Sequence, residues 1–228
     1  MYNIKYPETE SEEDKVEIPE NVKYEGNINW QLKEILDRAK QRNTEDWDMV
    51  FVVDGEERGG KSRFASQIAK YLCPDLDISH YAFSPTQFKE KIQAAKPQTP
   101  VVYDEAHSGF NTRSTMTKVN KMLVSMMTEI GYKNLYVFIV LPSFFDLDSY
   151  IALHRAKALF HVYVSKKLWR RGFFWAMNKA SLRDLYIYGK KFRDYGVRKS
   201  DFSGCFGKWS GVNLPQYIEY KKKFTLQV

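Results

Sequence analysis

Cysteine is scarce in this chain, with only Cys73 and Cys205 among 228 residues. Two cysteines this far apart provide neither a disulfide framework nor the paired spacing of a zinc site. Long apolar runs are missing as well, because the stretch from Tyr136 to Pro142 is far below the roughly 20 residues that span a bilayer. The N-terminus is polar and acidic, unlike a signal peptide. We therefore expect a soluble cytoplasmic protein, in the host cell if the chain is viral, with no membrane segment.

The composition is that of a folded protein, with 43% hydrophobic and 15% aromatic residues and enough length for one substantial core. Charge is unevenly distributed. Residues 1–20 hold seven acids against two lysines, whereas fifteen Lys and Arg face four acids from His161 onward. We expect an acidic, flexible tail at 1–26, a core at 27–164, and a basic extension at 165–228 packed on that core. The basic excess suggests a polyanionic partner.

A glycine-rich segment carries the strongest functional signal. Residues 55–62, GEERGGKS, fit the phosphate-binding pattern G-x-x-x-x-G-K-[ST] at every fixed position. The apolar run at 48–54 predicts a strand before the segment, and the periodicity of 62–72 predicts a helix after it. Lys61 would then reach the β- and γ-phosphates of a nucleotide, and the Ser62 hydroxyl would bind magnesium. The alternative is a glycine turn with a solvated lysine. The predicted nucleotide contacts are Gly55, Arg58, Gly59, Gly60, Lys61, Ser62 and Arg63.

A second signal is the acidic pair that ends the apolar run Pro100 to Tyr103. Ligands bind at the carboxyl ends of strands in a parallel sheet. Asp104 would hold magnesium there, and Glu105 would act as the catalytic base toward the water that attacks the γ-phosphate. Acidic residues also cap helices at such positions, which is the alternative. Because hydrolysis needs a base to activate water, Glu105 favours ATP hydrolysis over transfer of the γ-phosphoryl group to a small molecule.

Strand and helix patterns alternate along the chain, which indicates an α/β fold with a mainly parallel sheet flanked by helices. The predicted helices are 29–42, 62–72, 85–95, 117–130 with Gly131 as its C-cap, and 151–158. The predicted strands after the first are 80–84, 100–104, 134–141 and 159–164.

Beyond Val164, basic residues alternate with aromatic ones, and Gly172 is predicted to turn a hairpin. Lysine and arginine contact nucleic-acid phosphates while aromatic rings stack on bases. The alternative is an edge hairpin with aromatics on the core and charges in water. The lysines at 221–223 are expected at a solvated helix end. The candidate nucleic-acid contacts are Lys166, Lys167, Trp169, Arg170 and Arg171.

Three more residues are candidates for roles at the nucleotide. Arg155 is a candidate arginine finger toward a neighbouring subunit, and an exposed helix arginine is the alternative. Arg113 is a candidate sensor of the γ-phosphate. Ser143 follows the third long strand, where a polar side chain would reach the attacking water.

The stretches 53–62, 101–110 and 135–155 resemble the additional-strand P-loop ATPases, and within them the HerA/FtsK-type DNA translocases, viral genome-packaging ATPases and zonula-occludens-toxin-like proteins. This resemblance covers residues 47–164. It implies a RecA/HerA-like core in which Lys61 and Ser62 bind ATP and Mg²⁺, Asp104 binds Mg²⁺ and Glu105 is the base. It also implies a ring, expected to be a hexamer, with Arg155 acting in trans.

We therefore expect a Mg²⁺-dependent ATPase that moves DNA, in genome packaging or translocation for a virus or mobile element, with a capsid or other protein as a further partner. The alternative is an assembly ATPase of the zonula-occludens-toxin-like type that acts on proteins. No guanine-recognition motif of the Asn-Lys-x-Asp kind occurs, which opposes a GTPase. An arginine-rich lid is also lacking, which opposes a small-molecule kinase.

Overall fold

A mixed α/β architecture is present, as the sequence predicts. The computed structural model describes residues 28–104, 113–166, 170–207 and 211–225. Within these residues, the α-helices are α1 (Trp30–Thr44), α2 (Lys61–Leu72), α3 (Pro85–Ala94), α4 (Arg113–Tyr132), α5 (Lys179–Gly189) and α6 (Leu214–Thr225). The strands are β1 (Met49–Gly55), β2 (Tyr81–Ala82), β3 (Pro100–Asp104), β4 (Tyr136–Val140), β5 (Ala156–Ser165), β6 (Arg170–Asn178) and β7 (Phe202–Cys205).

The seven strands found in this part of the chain form one sheet in the order β2-β3-β4-β1-β5-β6-β7. The first five strands of that order are parallel, and β6 and β7 are antiparallel additions. β4 is inserted between β1 and β3, with Val53 and Asp104 both opposite Val140. The carboxyl ends of β1, β3 and β4 therefore meet at one edge of the sheet, which is where an α/β protein binds its ligand.

Helices cover both faces of the sheet, which accounts for the nearly continuous burial of its central strands. One core packs against α3, α4 and α5, and the other packs against α1, α2 and α6. The predicted mainly parallel sheet flanked by helices is confirmed. In the described residues, no helix is both long and apolar enough to cross a bilayer. The acidic segment 1–26 lies outside the described residues, and the domain division at residues 27 and 165 stays a prediction.

Three local predictions were wrong. α4 continues through Gly131 to Tyr132, and Asn134, at φ 50°, takes the left-handed conformation that ends the helix. The helix predicted at 151–158 is only the π-helical turn Ile151–Arg155, because Ala156 begins β5 and pairs with Val50 of β1. Gly172 lies inside β6, and Ser165 of β5 already pairs with Arg170, so Gly172 does not make the turn of the hairpin.

Candidate nucleotide-binding site

The predicted phosphate loop connects β1 to α2 at the carboxyl edge of the sheet. Gly55 has φ 124°, and a Cβ atom there would stand 1.9 Å from the carbonyl oxygen of Val162 on β5. Only glycine fits this close approach. Gly60 also has a left-handed φ, 110°, and caps α2 without a side chain that would cover its amides. Since the first N–H groups of a helix have no intrahelical acceptor, the start of α2 is built to receive an anion.

Packing beneath the loop fixes the position of α2. Phe64 lies one turn into the helix and is 1% exposed. Its ring contacts those of Phe160, Phe174 and Phe206, with centroid distances of 5.5, 4.5 and 4.9 Å. Burying an aromatic side chain of this size contributes roughly 3–5 kcal/mol, measured as the cost of truncation to alanine. The helix start is thereby held against β5 and β6.

Lys61 closes the loop. Its ammonium donates to the carbonyl oxygens of Gly55 at 2.7 Å and Glu56 at 2.8 Å. Burial lowers the pKa of Lys61, whereas the neighbouring carboxylates Asp54, Asp104 and Glu57 act in the opposite direction. The cation is therefore partly desolvated, and such a group interacts more strongly with an anion than an exposed lysine does.

Ser62 and Asp104 converge on one point, although they belong to α2 and β3. The Tyr217 hydroxyl from α6 donates to Asp104 Oδ2 and also hydrogen bonds with the Ser62 side chain. Burial, together with the Asp104 charge, raises the pKa of Tyr217 well above its ordinary value, so the hydroxyl stays protonated. A hydroxyl and a carboxylate that meet in this way are hard oxygen donors of the kind Mg²⁺ prefers. The residues therefore fit the predicted metal.

A cleft of about 380 Å³ opens over these groups. This volume lies within the range of about 300–1,000 Å³ that small-molecule sites occupy. The end of β4 and the residues after it form one wall. Three cations and two carboxylates line it, which leaves a net positive site suited to a polyphosphate. The lining residues are Glu57, Arg58, Gly60, Lys61, Ser62, Asp104, Val140, Leu141, Pro142 and Lys221.

A buried polar cluster supports the strand that enters the loop. Asp54 is 0% exposed, accepts from the Phe144 amide at 2.8 Å, and accepts from the Tyr195 hydroxyl. His161 Nδ1 lies 2.9 Å from Asp54 Oδ1, and the histidine ring stacks on Trp175. The cluster fixes the backbone on either side of the loop. It also ties the end of β1 to the segment after β4.

The structure places Ser143 in this cluster, where the Ser143 hydroxyl lies 3.0 Å from the Tyr195 hydroxyl.

The other predicted nucleotide contacts lie in the loop or on the helix that follows it. Gly59 and Arg58 belong to the loop, and Arg58 has φ 60° although it is not a glycine. Arg63 is exposed on the first turn of α2, and Arg113 begins α4. Glu105 lies outside the described residues, so its role as the base stays a prediction.

Arg155 lies away from the loop of its own chain. Its guanidinium is 2.8 Å from Asp48 Oδ2 and 3.0 Å from the Met127 carbonyl oxygen. Asp48 precedes β1, so this ion pair sits at the amino edge of the sheet, opposite the nucleotide cleft. A role in trans for Arg155 stays a prediction.

The basic hairpin lies at the same edge as the phosphate loop. β5 continues three residues past Val162, which pairs with Gly55, and reaches Ser165. The end of β5 is therefore roughly 10 Å beyond the loop, at about 3.3 Å per residue. Lys166, Arg170 and Arg171 are exposed, whereas Phe174 and Trp175 are buried. Lys167 and Trp169 lie outside the described residues, and nucleic-acid contact stays a prediction.

Sequence reasoning missed the contributions of α6 and of the buried cluster. Lys221 was expected in solvent, but its ammonium lies 3.0 Å from Asp104 Oδ2. Its helical spacing of four residues from Tyr217 is a usable signal, because such residues share a face. For Asp54, the usable signal is a carboxylate at the end of a strand of five apolar residues, directly before the first glycine of the loop. A carboxylate in that position is expected to be buried and therefore to need hydrogen-bond donors.

No protein-family model matches the sequence, and no curated protein matches it. Among solved structures, the crystal structure of the N-terminal domain of zonular occludens toxin from Neisseria meningitidis is similar to this chain. The identity is 13% and the TM-score 0.42, over 71% of this chain and 94% of that one. Values this low carry no argument about activity. The sheet order and the strand, loop and helix of the phosphate site indicate a mixed α/β protein with a P-loop NTPase-like fold.

Proposed function

We propose that this chain binds ATP with Mg²⁺ and hydrolyses it. The observation that carries the proposal is the convergence of Lys61, Ser62 and Asp104 on one positively charged cleft at the carboxyl edge of the sheet. A structural lysine or a helix-capping carboxylate would not require these three groups to meet. Phosphoryl transfer does, because its catalysis consists mainly of positioning and charge stabilisation.

In this mechanism, the α2 amides and the Lys61 ammonium bind the β- and γ-phosphates. Ser62 and Asp104 would hold magnesium, which supplies positive charge against the phosphate oxygens. To reach the nucleotide, Lys61 exchanges the carbonyl oxygens of Gly55 and Glu56 for phosphate oxygens. Glu105, the residue after Asp104, takes the proton of the attacking water as the general base.

We further propose that hydrolysis moves DNA. The exposed basic side chains of Lys166, Arg170 and Arg171 support a role in DNA binding. The register of β1 and β5 brings the hairpin that carries them beside the phosphate loop. Any shift of the loop on hydrolysis would pass directly to that hairpin. Lys167 and Trp169 belong to the same proposed surface. Assembly into a ring, proposed as a hexamer, would let Arg155 act on the nucleotide of a neighbouring subunit.

The second candidate is an assembly ATPase that acts on protein partners. Exposed apolar side chains at the end of α5 and just after it support this candidate, since Ile187 is 49%, Tyr188 69% and Phe192 76% exposed. Neighbouring exposed apolar side chains of this size are common in protein interfaces. A capsid protein would suit either candidate as a partner.

Steady-state ATP hydrolysis, measured with and without double- and single-stranded DNA at two salt concentrations, tests these proposals. We expect that DNA stimulates hydrolysis and that this stimulation is weaker at the higher salt concentration. The Glu105→Gln and Lys61→Ala variants should not hydrolyse ATP. Hydrolysis that requires Glu105 but ignores DNA favours the assembly ATPase. Nucleotide binding unchanged by Lys61→Ala contradicts the site itself. Lys70→Ala, at the far end of α2, is the matched control and should behave as wild type.

A further inference from the structure

The three consecutive lysines of α6 have different environments. Lys223 is 62% exposed and pairs with Glu219 on its own helix. Lys221 is 30% exposed and is directed at Asp104, which is only 3% exposed in its side chain. A solvated helix end does not explain an ammonium placed on a buried carboxylate, because burying a charge is costly unless it is compensated.

Aromatic packing fixes this orientation. Tyr217 lies one turn before Lys221, is 4% exposed, and meets the rings of Tyr81 and Phe83 edge-on at 5.4 Å. Tyr220 packs on Phe83 as well, at 5.8 Å. Residues four apart on a helix share a face, so the anchored Tyr217 directs Lys221 into the cleft. The packing of Tyr217 and Tyr220 in the core therefore determines where the Lys221 ammonium lies.

Lys221 also adds a cation to the cleft from outside the phosphate loop. It lines the same cleft as Lys61 and Arg58, and its charge contributes to lowering the pKa of Lys61. Like charges at close range repel, so an anion between them stabilises the arrangement. The carboxylates Glu57 and Asp104 offset two of the three positive charges of the lining, and a bound polyphosphate would offset the remaining one.

We propose that Lys221 is a nucleotide-binding residue, supplied by the last helix, that contacts the terminal phosphate of ATP. The inference rests on the proposed function. When ATP binds, the flexible four-carbon stem of Lys221 moves its ammonium from Asp104 to the γ-phosphate. Among the described residues, Asp104 then keeps only the Tyr217 hydroxyl as a donor, and its carboxylate would be available as a magnesium ligand. ADP lacks the phosphate that Lys221 contacts, so the residue discriminates between substrate and product.

Equilibrium titration with ribose-labelled fluorescent ATP and ADP, in the presence of Mg²⁺, tests this role. We expect Lys221→Gln to weaken ATP binding by about 10-fold or more, the effect of losing one charge-assisted hydrogen bond, and ADP binding by less than about 3-fold. Lys221→Arg should retain most of the preference for ATP. Lys223→Gln, which removes the same charge two residues further along α6, should match wild type. Thermal unfolding of each variant confirms that it is folded.

Several outcomes overturn the inference. Equal losses for ATP and ADP would mean that Lys221 acts only on the cleft as a whole. Tighter ATP binding in Lys221→Gln would make the lysine a competitor of magnesium for Asp104. Affinities of Lys221→Gln for both nucleotides that match those of wild type would reject the role of Lys221 and leave the proposed function standing. Failure of wild type to bind either nucleotide would reject both.

Discussion

Asp54 and His161 lie side by side on β1 and β5, and the side chains share a 2.9 Å hydrogen bond beneath the phosphate loop. The carboxylate has further donors in the Phe144 amide and the Tyr195 hydroxyl. Buried polar groups of this kind are stabilising when every partner is in place and costly when one is removed. The cluster is thus expected to set the stability of the loop's supporting strands.

Tyr195→Phe tests that expectation. The variant keeps the ring but removes a donor to Asp54, so we expect the free energy of unfolding to fall by about 1–3 kcal/mol. Urea unfolding followed by circular dichroism measures the change. Tyr188→Phe removes a hydroxyl from a tyrosine that is 69% exposed, and should change the free energy by less than about 0.5 kcal/mol. Equal effects of the two substitutions would contradict a stabilising cluster.

Two glycine-to-alanine substitutions should have opposite effects. Gly55→Ala sets a Cβ atom 1.9 Å from the Val162 carbonyl oxygen at φ 124°, and the strained backbone alone costs roughly 1–3 kcal/mol. Gly131→Ala lies within α4, where the nearest atom to the new Cβ is 3.5 Å away. Alanine should stabilise that helix by about 0.5–1 kcal/mol. An unfolding midpoint that does not fall in Gly55→Ala would show that the loop tolerates a side chain at Gly55.

Arg155→Ala separates a structural role from an arginine finger. Loss of its bonds to Asp48 and the Met127 carbonyl should lower the free energy of unfolding by about 1.5–3 kcal/mol. Arg38→Ala is the control, because its pair with Glu34 is exposed and should contribute only about 0.3–0.5 kcal/mol.

The same variant tests catalysis in trans. If Arg155 is only structural, folded Arg155→Ala protein should hydrolyse ATP at the wild-type rate. Loss of hydrolysis that partly returns on mixing with the Lys61→Ala variant would instead establish a finger, because the nucleotide site of an Arg155→Ala subunit is then completed by the arginine of a Lys61→Ala neighbour.

Neutralising the basic hairpin should weaken DNA binding and its dependence on salt. We expect the Lys166→Gln, Arg170→Gln and Arg171→Gln variants to reduce the slope of log K against log[salt] by about 0.9 per lost contact on duplex DNA and about 0.7 on single strands. Fluorescence anisotropy at a series of salt concentrations measures both. A triple variant of α1, with Lys33, Arg38 and Lys40 each changed to Gln, removes equal charge elsewhere. The same loss in that control would indicate attraction by net charge alone.

The sequence predicts what is local. The strand, glycine loop and helix from Met49 to Leu72 are contiguous, so pattern and chemistry coincide, and Asp104 follows a recognisable apolar run. The partners of these groups are distant in the chain. Tyr195 is 141 residues from Asp54, and Lys221 is 117 residues from Asp104. Contacts over such separations depend on how α6 and the segment after α5 pack against the sheet. The local hydrophobic periodicity of the sequence does not predict that packing.

Local conformational preferences gave wrong predictions where contacts distant in the sequence opposed them. Ala156 and Ala158 favour a helix by themselves, yet both lie in β5 because β1 needs a parallel neighbour there. Gly131 resembles a helix terminator, but Asn134 takes the left-handed conformation instead. In both cases the local preference is worth less than about 1 kcal/mol, which a few buried contacts exceed.

The contact between Asp104 and the last helix has a consequence for synthesis. At about 5–20 residues per second, the ribosome adds Lys221 roughly 6–23 s after Asp104. During that interval the strand that carries Asp104 can pair with β4, but its carboxylate has neither the Tyr217 hydroxyl nor the Lys221 ammonium. The nucleotide cleft is therefore complete only once α6 has been added, and a nascent chain that stalls before Leu214 has a sheet without a finished site.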